Sequence, residues 1–255
     1  MGYPHDNLSN LKDNKLNNNL GVTPVLIACD NSGSMIEYVD VVNNCIHDMI
    51  EGLQESKSLK NKIELSIVTF NCEYIEIVPF TRVSNINLEN IKKVEQSTLA
   101  TYFGMAMSMS VRALAEEKQR FKDNGIKYYQ PNLIVISDGR PEFEETATTN
   151  KGIREVQNKI ETEHWTCIPI FIGEADAAGI DYMKKICVPS QDGKRTVIHF
   201  NSSNKAADIV KAFQFISKSI DVSATTRTMS TDELKSKLSE DDDKRKFIHK
   251  MNFNK

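Results

Sequence analysis

No apolar run in this sequence approaches the roughly 18–20 residues needed to cross a bilayer, so no membrane association is expected. Positive charge is in no surplus either. The 32 Lys and Arg stand against 35 Asp and Glu, a formal charge of −3, which leaves nothing spare to neutralise a phosphate backbone and argues against a nucleic-acid partner. The opening MGYPHDNLSN lacks the charged-then-apolar pattern of a secretory signal. Five cysteines (Cys29, Cys45, Cys72, Cys167 and Cys187) include no C-x-x-C pair, which excludes a zinc knuckle or a redox motif of that kind. Reduced, mostly buried thiols in a cytoplasmic protein are expected instead. The five histidines are scattered, and no G-x-x-x-x-G-K-[ST], G-x-G-x-x-G or H-E-x-x-H occurs.

What remains is a regular alternation of two patterns. TPVLIAC (23–29) is a continuous apolar run of strand length, as expected of a strand buried on both faces; NLIVIS (132–137) and WTCIPIFIG (165–173) read as further buried strands, and KIELSIVTF (62–70) as a second strand. TVIHF (196–200) is a shorter strand. CEYIEIVPF (72–80) alternates polar and apolar residues, follows a near-immediate reversal at Asn71 and contains Pro79, which fits an antiparallel edge strand. Between the strands, amphipathic helices are expected at 35–56, from Phe103 onward, at about 150–163, near 180–187 and at 205–220, with a short helical segment at 86–95. Apolar strands alternating with such helices predict an α/β fold. The sheet should be doubly wound, Rossmann-like, mostly parallel and six-stranded, with one antiparallel edge strand and helices on both faces. One domain is expected over 21–220. It follows a polar, Asn-rich lead-in (1–20) and precedes a charged tail (221–255) with a short helix at 231–239.

In such sheets function sits beyond the carboxyl ends of the strands, near the point where strand order reverses. Two strands run into an aspartate there, Asp30 in ACDNSGSM and Asp138 in VISDGRP, and Thr101 stands at the entrance to the helix that begins near Phe103. Each has an ordinary reading: Asp30, Ser32 and Ser34 as helix caps, Asp138-Gly139 as a turn. Together, two carboxylates and three hydroxyls form a hard-oxygen set suited to Mg2+ or Mn2+ rather than zinc. Gly33 relieves the bend, and Gly104 is expected to allow close approach beside Thr101.

D-x-S-G-S after the first buried strand, T-x-x-G about seventy residues on, and S-D-G after the next parallel strand resemble the von Willebrand factor A domain family. The likeness covers about 22–220, with Leu99-Ala100 before the threonine where the family usually has Gly-Gly or Gly-Thr. LIACDNSGSM, IELSIVTFN and VISDGRPEF are most similar to the bacterial tellurite-resistance Y type. The resemblance implies a metal-ion-dependent adhesion site formed by Asp30, Ser32, Ser34, Thr101 and Asp138. It also implies Mg2+ (or Mn2+ or Ca2+) as cofactor, and a protein partner whose Glu or Asp completes the metal shell. It further implies a bacterial or phage setting in stress response or defence, and no catalysis. Asn31, Tyr102, Arg140 and Glu142 are candidate partner-binding rim residues, Glu144 could extend that rim, and Asn71 could support the site. The rival reading is a Mg2+-dependent phosphotransfer enzyme with Asp30 as nucleophile. Such an enzyme needs an acid–base carboxylate two residues later, where this chain has Ser32.

Overall fold

In the computed structural model, residues 21–174 and 176–223 are described. The expected lead-in at 1–20 and the helix at 231–239 lie outside them. Six strands, β1 (Thr23–Asp30), β2 (Ile63–Phe70), β3 (Tyr74–Arg82), β4 (Asn132–Ser137), β5 (Thr166–Ile172) and β6 (Ile198–Phe200), form one sheet in the order β3-β2-β1-β4-β5-β6. Every neighbouring pair is parallel except β2–β3. The helices are α1 (Val39–Glu55), α2 (Phe103–Asp123), α3 (Thr146–Glu163), α4 (Ala177–Lys185) and α5 (Lys205–Ser223).

Why the strands read as unbroken apolar runs is visible in β1. Val25, Ile27 and Cys29 face a core shared with α1 and α5, whereas Leu26 and Ala28 face a second core with α2, α3 and α4. Successive side chains point to opposite faces, and both faces are covered, so both sets of positions from Val25 to Cys29 are apolar. β3 covers the edge of β2, and a register shift between its pairings with Leu65 and Ile67 spans Pro79, a residue tolerated at an edge because it has no N–H to contribute. Pro169 is harder to place, being inside β5. There β5 pairs with Val135 of β4 on one side, while its pairing with β6 begins only at Ile170.

The helix expected from 35 begins differently. Residues Gly33–Tyr38 form a tight 3-10 turn, and the α-helix starts only at Val39. The segment expected to be helical at 86–95 holds a single short 3-10 turn, Leu88–Asn90, and no helix or strand is formed from 91 to 102. α3 begins at Thr146, before the apolar stripe of Ile153, Val156 and Ile160 that marks it in the sequence.

Gly104 allows a close approach, as expected, and what approaches it is the backbone of α3. A Cβ there would lie 2.3 Å from Cα of Thr149, and a Cβ on Gly152 would lie 2.1 Å from the Gly104 carbonyl oxygen. The two glycines therefore let α2 and α3 cross backbone to backbone. The Glu144 carboxylate completes this junction: it accepts hydrogen bonds from the Gly104 and Met105 amides (2.8 Å each) and from the Thr149 hydroxyl (2.7 Å). Glu144 thus caps α2, whose N-cap residue Tyr102 offers no side-chain bond, and is taken up in that role rather than lining a rim.

Candidate metal centre

The order β3-β2-β1-β4-β5-β6 reverses direction at the β1/β4 boundary, which is where an open α/β sheet leaves a crevice beyond its strand ends. Asp30 is the last residue of β1, and Asp138 follows β4 by one residue. Both side chains are shielded: Asp30 is 1% exposed, and the Asp138 side chain 3%.

The capping reading of the first loop does not hold, because the Ser32 side chain caps no backbone amide of the turn that follows it. The loop curls back on itself instead. Asp30 Oδ1 accepts the Ser32 amide (2.9 Å), and the Ser32 and Ser34 hydroxyls lie 3.1 Å apart. Ser34 Oγ donates to Asp138 Oδ1 (2.8 Å), which joins the β1 loop to the β4 loop. On the other side Ser137 Oγ donates to Asp30 Oδ2 at 2.6 Å. Four of the five expected residues thus form one connected oxygen cluster.

Thr101 is brought to the same rim by its backbone. Gly33 N–H donates to the Leu99 carbonyl (3.0 Å) and Glu142 N–H to the Thr101 carbonyl (3.0 Å), so the threonine segment is laced to both aspartate loops. Asn71 holds it from beneath: its carbonyl accepts the Tyr102 amide (3.0 Å), and its side-chain amide donates to Ser97 Oγ (3.1 Å). Thr101 is 3% exposed, and its hydroxyl has no hydrogen-bond partner among the described residues.

Electrostatics at the site favour a cation. Burial, reinforced by the Asp138 charge, pushes the Asp30 carboxyl up to about 6, against hydrogen bonds from Ser137 and Ser32 that lower it. Two carboxylates this close in a shielded site repel one another, and a positive charge between them relieves the repulsion. One such charge belongs to the chain itself. The Lys205 ammonium, from the first turn of α5, forms an ion pair with Asp138 Oδ2 and donates to the Ser34 carbonyl at 2.9 Å.

The rim residues divide. Asn31 is only 4% exposed and turns inward, its amide donating to the Glu95 carbonyl (3.0 Å), so it braces the loop rather than offering itself to a partner. Tyr102 is half-buried, while Arg140 and Glu142 are exposed. Beside them Phe143 is 89% exposed with φ at +57°, a conformation uncommon for a bulky residue. Ser137 and Lys205 act at the site outside the five-residue signature. Ser137 stands next to Asp138 in VISDG, where its role could have been suspected, but nothing local to SSNKAAD marks Lys205.

Residues 25–140 match the family model of the von Willebrand factor type A domain. The fold is that of a von Willebrand factor A (vWA) domain. Solved structures similar to this chain include the pilus adhesin SpaC from Lactobacillus rhamnosus GG, in an open conformation. It is 12% identical, with a TM-score of 0.57 over 79% of this chain and 30% of that one. A von Willebrand factor type A protein from Catenulispora acidiphila is 16% identical, with a TM-score of 0.56 over 78% of this chain and 43% of that one. The vWF domain of the type V pili tip protein Mfa5 from Porphyromonas gingivalis is 10% identical, with a TM-score of 0.56 over 81% of this chain and 97% of that one. The chain therefore spans less than half the length of the first two. No curated protein matches it. At these identities the likeness establishes the vWA fold.

Proposed function

We propose that this vWA domain is a metal-dependent protein-binding module that captures a partner's carboxylate through a divalent cation. The observation that carries the proposal is the bond from Ser34 Oγ to Asp138 Oδ1, which unites the β1 and β4 loops into one oxygen cluster at the sheet's switch point. Asp30, Ser32, Ser34, Thr101 and Asp138 would hold the ion. The donor set fits it: all are hard oxygens, with neither imidazole nor thiol, as Mg2+, Mn2+ or Ca2+ prefer. When bound, the ion supplies an electrophilic position for an outside carboxylate. Ser32, Ser34 and Thr101 add no charge, so two carboxylates do not fully quench a divalent cation and a third, from a partner, remains attractive.

The chain's own groups account for the rest. Ser137 orients Asp30, Asn71 fixes the threonine segment, and exposed Arg140 and Glu142 flank the opening. Arg140 offers a forked donor suited to a second acidic group on the partner. The pilus adhesin SpaC shares the fold, and binding of another protein is the activity we assign here. We further propose a cytoplasmic bacterial or phage role in stress response or defence, which rests on the resemblance of LIACDNSGSM, IELSIVTFN and VISDGRPEF to the tellurite-resistance Y type.

Isothermal titration with Mg2+ and capture from native lysate test the proposal together. Asp30→Ala should lower divalent affinity by about 100-fold or more while the melting curve stays cooperative, since ligand support alone is worth ~10–100-fold. Recovery of the same partners in EDTA as in Mg2+ would sink it. The phosphotransfer reading fails at Ser32, which is a poor acid or base near neutral pH. Mg2+-dependent turnover of an aryl phosphate, lost in Asp30→Asn, would restore that reading.

A further inference from the structure

Lys205 is the first residue of α5, a helix whose start is held partly by bonds outside the aspartate cluster and partly through Lys205 itself. Asn204 Oδ1 accepts the Ala207 amide (3.1 Å), and the Asp208 carboxylate accepts both the amide and the hydroxyl of Ser202 (2.7 Å each). A cation in the first turn of a helix is disfavoured, because the unpaired amides there carry positive charge. The side chain is nonetheless only 20% exposed, and it reaches out of its own helix into the aspartate cluster. Its stem passes Gly173, where an added Cβ would come within 3.9 Å of Lys205 Cδ. Its ammonium lies 5.0 Å from the centre of the Tyr38 ring, donates to the Ser34 carbonyl and pairs with Asp138 Oδ2. The ammonium is thus seated on two residues of the proposed ion site, one from each aspartate loop.

We propose that the Lys205 ammonium is a tethered competitor for the divalent cation, so that an ion binding at Asp138 and Ser34 must displace it and thereby release the first turn of α5. This rests on the reading of the cluster as a metal centre. The charges make the competition unavoidable. With Lys205 in place, the net charge of Asp30, Asp138 and the ammonium is −1 instead of −2. A divalent ion added beside an ammonium a few ångströms away meets direct repulsion in a shielded site. Release has a defined destination: freed from Asp138, the ammonium can swing toward solvent on its four-carbon stem. The coupling is reciprocal, so whatever holds the first turn of α5 in place weakens metal binding, and metal binding loosens that turn.

The test uses the full chain, with Mn2+ alone as probe. Calorimetric titration should show Lys205→Met binding Mn2+ at least about tenfold tighter than wild type, the order expected when a like charge leaves a partly buried site. In wild type, Mn2+ should raise amide hydrogen exchange over residues 205–209, and in Lys205→Met it should not. Equal or weaker affinity in a Lys205→Met chain that still melts cooperatively overturns the competition and leaves the metal centre standing. Absence of Mn2+ binding in both chains overturns both. Should Lys205→Met fail to fold, Lys205→Gln and the wild-type exchange measurement decide, unchanged exchange on Mn2+ saturation counting against the proposal.

Discussion

Ser137 shows how much of a site is carried by a residue outside its signature. Its hydroxyl donates to Asp30 Oδ2 at 2.6 Å and so fixes the orientation of a fully buried carboxylate, while helping to keep it ionised against the cost of burial. Ser137→Ala removes the donor without disturbing the apolar strand before it. We expect a fall of about tenfold in divalent affinity, the range seen when a ligand's supporting bond is lost. The measurement is the same calorimetric titration, with the melting temperature as control, and an unchanged affinity would assign Asp30's orientation to the Ser32 amide alone. At this scale Asp30, Ser32, Ser34 and Asp138 were legible in the sequence because their spacing is local to two loops. Lys205 was not, since 67 residues separate it from the aspartate it pairs with. Asn31 was misplaced for a related reason: a polar residue in a polar loop looks exposed until the Glu95 carbonyl is found to accept its amide.

Among the elements, the α2–α3 pair is the most tightly specified. Gly152→Ala would set a methyl group 2.1 Å from the Gly104 carbonyl oxygen, and neither backbone has room to retreat. A loss of about 2–3 kcal/mol is expected from such overpacking, readable as a lowered midpoint in urea. Near the other end of this pair, Glu163 of α3 accepts from Lys118 of α2 (2.7 Å) and pairs with Lys159. Burial alone would raise its pKa, but the two lysines outweigh it and hold the carboxyl at about 2 against an ordinary 4.5. A carboxylate whose pKa is lower folded than unfolded adds stability at every pH above the unfolded value, and that contribution fades as pH falls from 4.5 toward 2. The stability gap between wild type and Glu163→Gln should therefore be constant above about pH 4.5–5 and narrow below it. A gap that widened on acidification would contradict the assignment.

β1, β4 and β5 were legible because burial on both faces leaves a nearly unbroken apolar run, β3 because its residues alternate, and α1 and α5 because their apolar stripes are regular. The 3-10 turn at Gly33–Tyr38 was hidden by a stripe that continues through it, and the early start of α3 by a first turn of threonines with no apolar spacing. Gly104 illustrates a different limit. A glycine beside Thr101 suggests a close approach, and only the crossing helix shows that the backbone of α3 is what comes close.

Across the whole molecule, the two ends of the sheet do different work. The oxygen cluster proposed to hold a metal occupies the carboxyl end, and near the other end the Glu64 carboxylate accepts from Arg82 Nε (2.9 Å) and Arg120 (3.0 Å), with Glu117 also bound to Arg120. Burial pushes Glu64 upward and the arginines oppose it, so the network ties the β3 edge and α2 to the buried strand β2. Arg82→Met leaves that carboxylate short of a partner and should cost about 3 kcal/mol in urea unfolding. Divalent affinity should be unchanged, because distant sites without shared partners act independently. A large affinity change would show that the network reaches the metal centre.

The sheet's edges bear on how copies of this protein meet one another. β3 contains a proline and is bent by register shifts in its pairing with β2, and β6 is three residues long. A neighbouring copy seeking to extend the ladder finds little continuous backbone to match, so template-driven stacking into fibres is discouraged at both margins. Crowded on a surface or in a lysate, such domains can stand side by side with their rims free for other molecules.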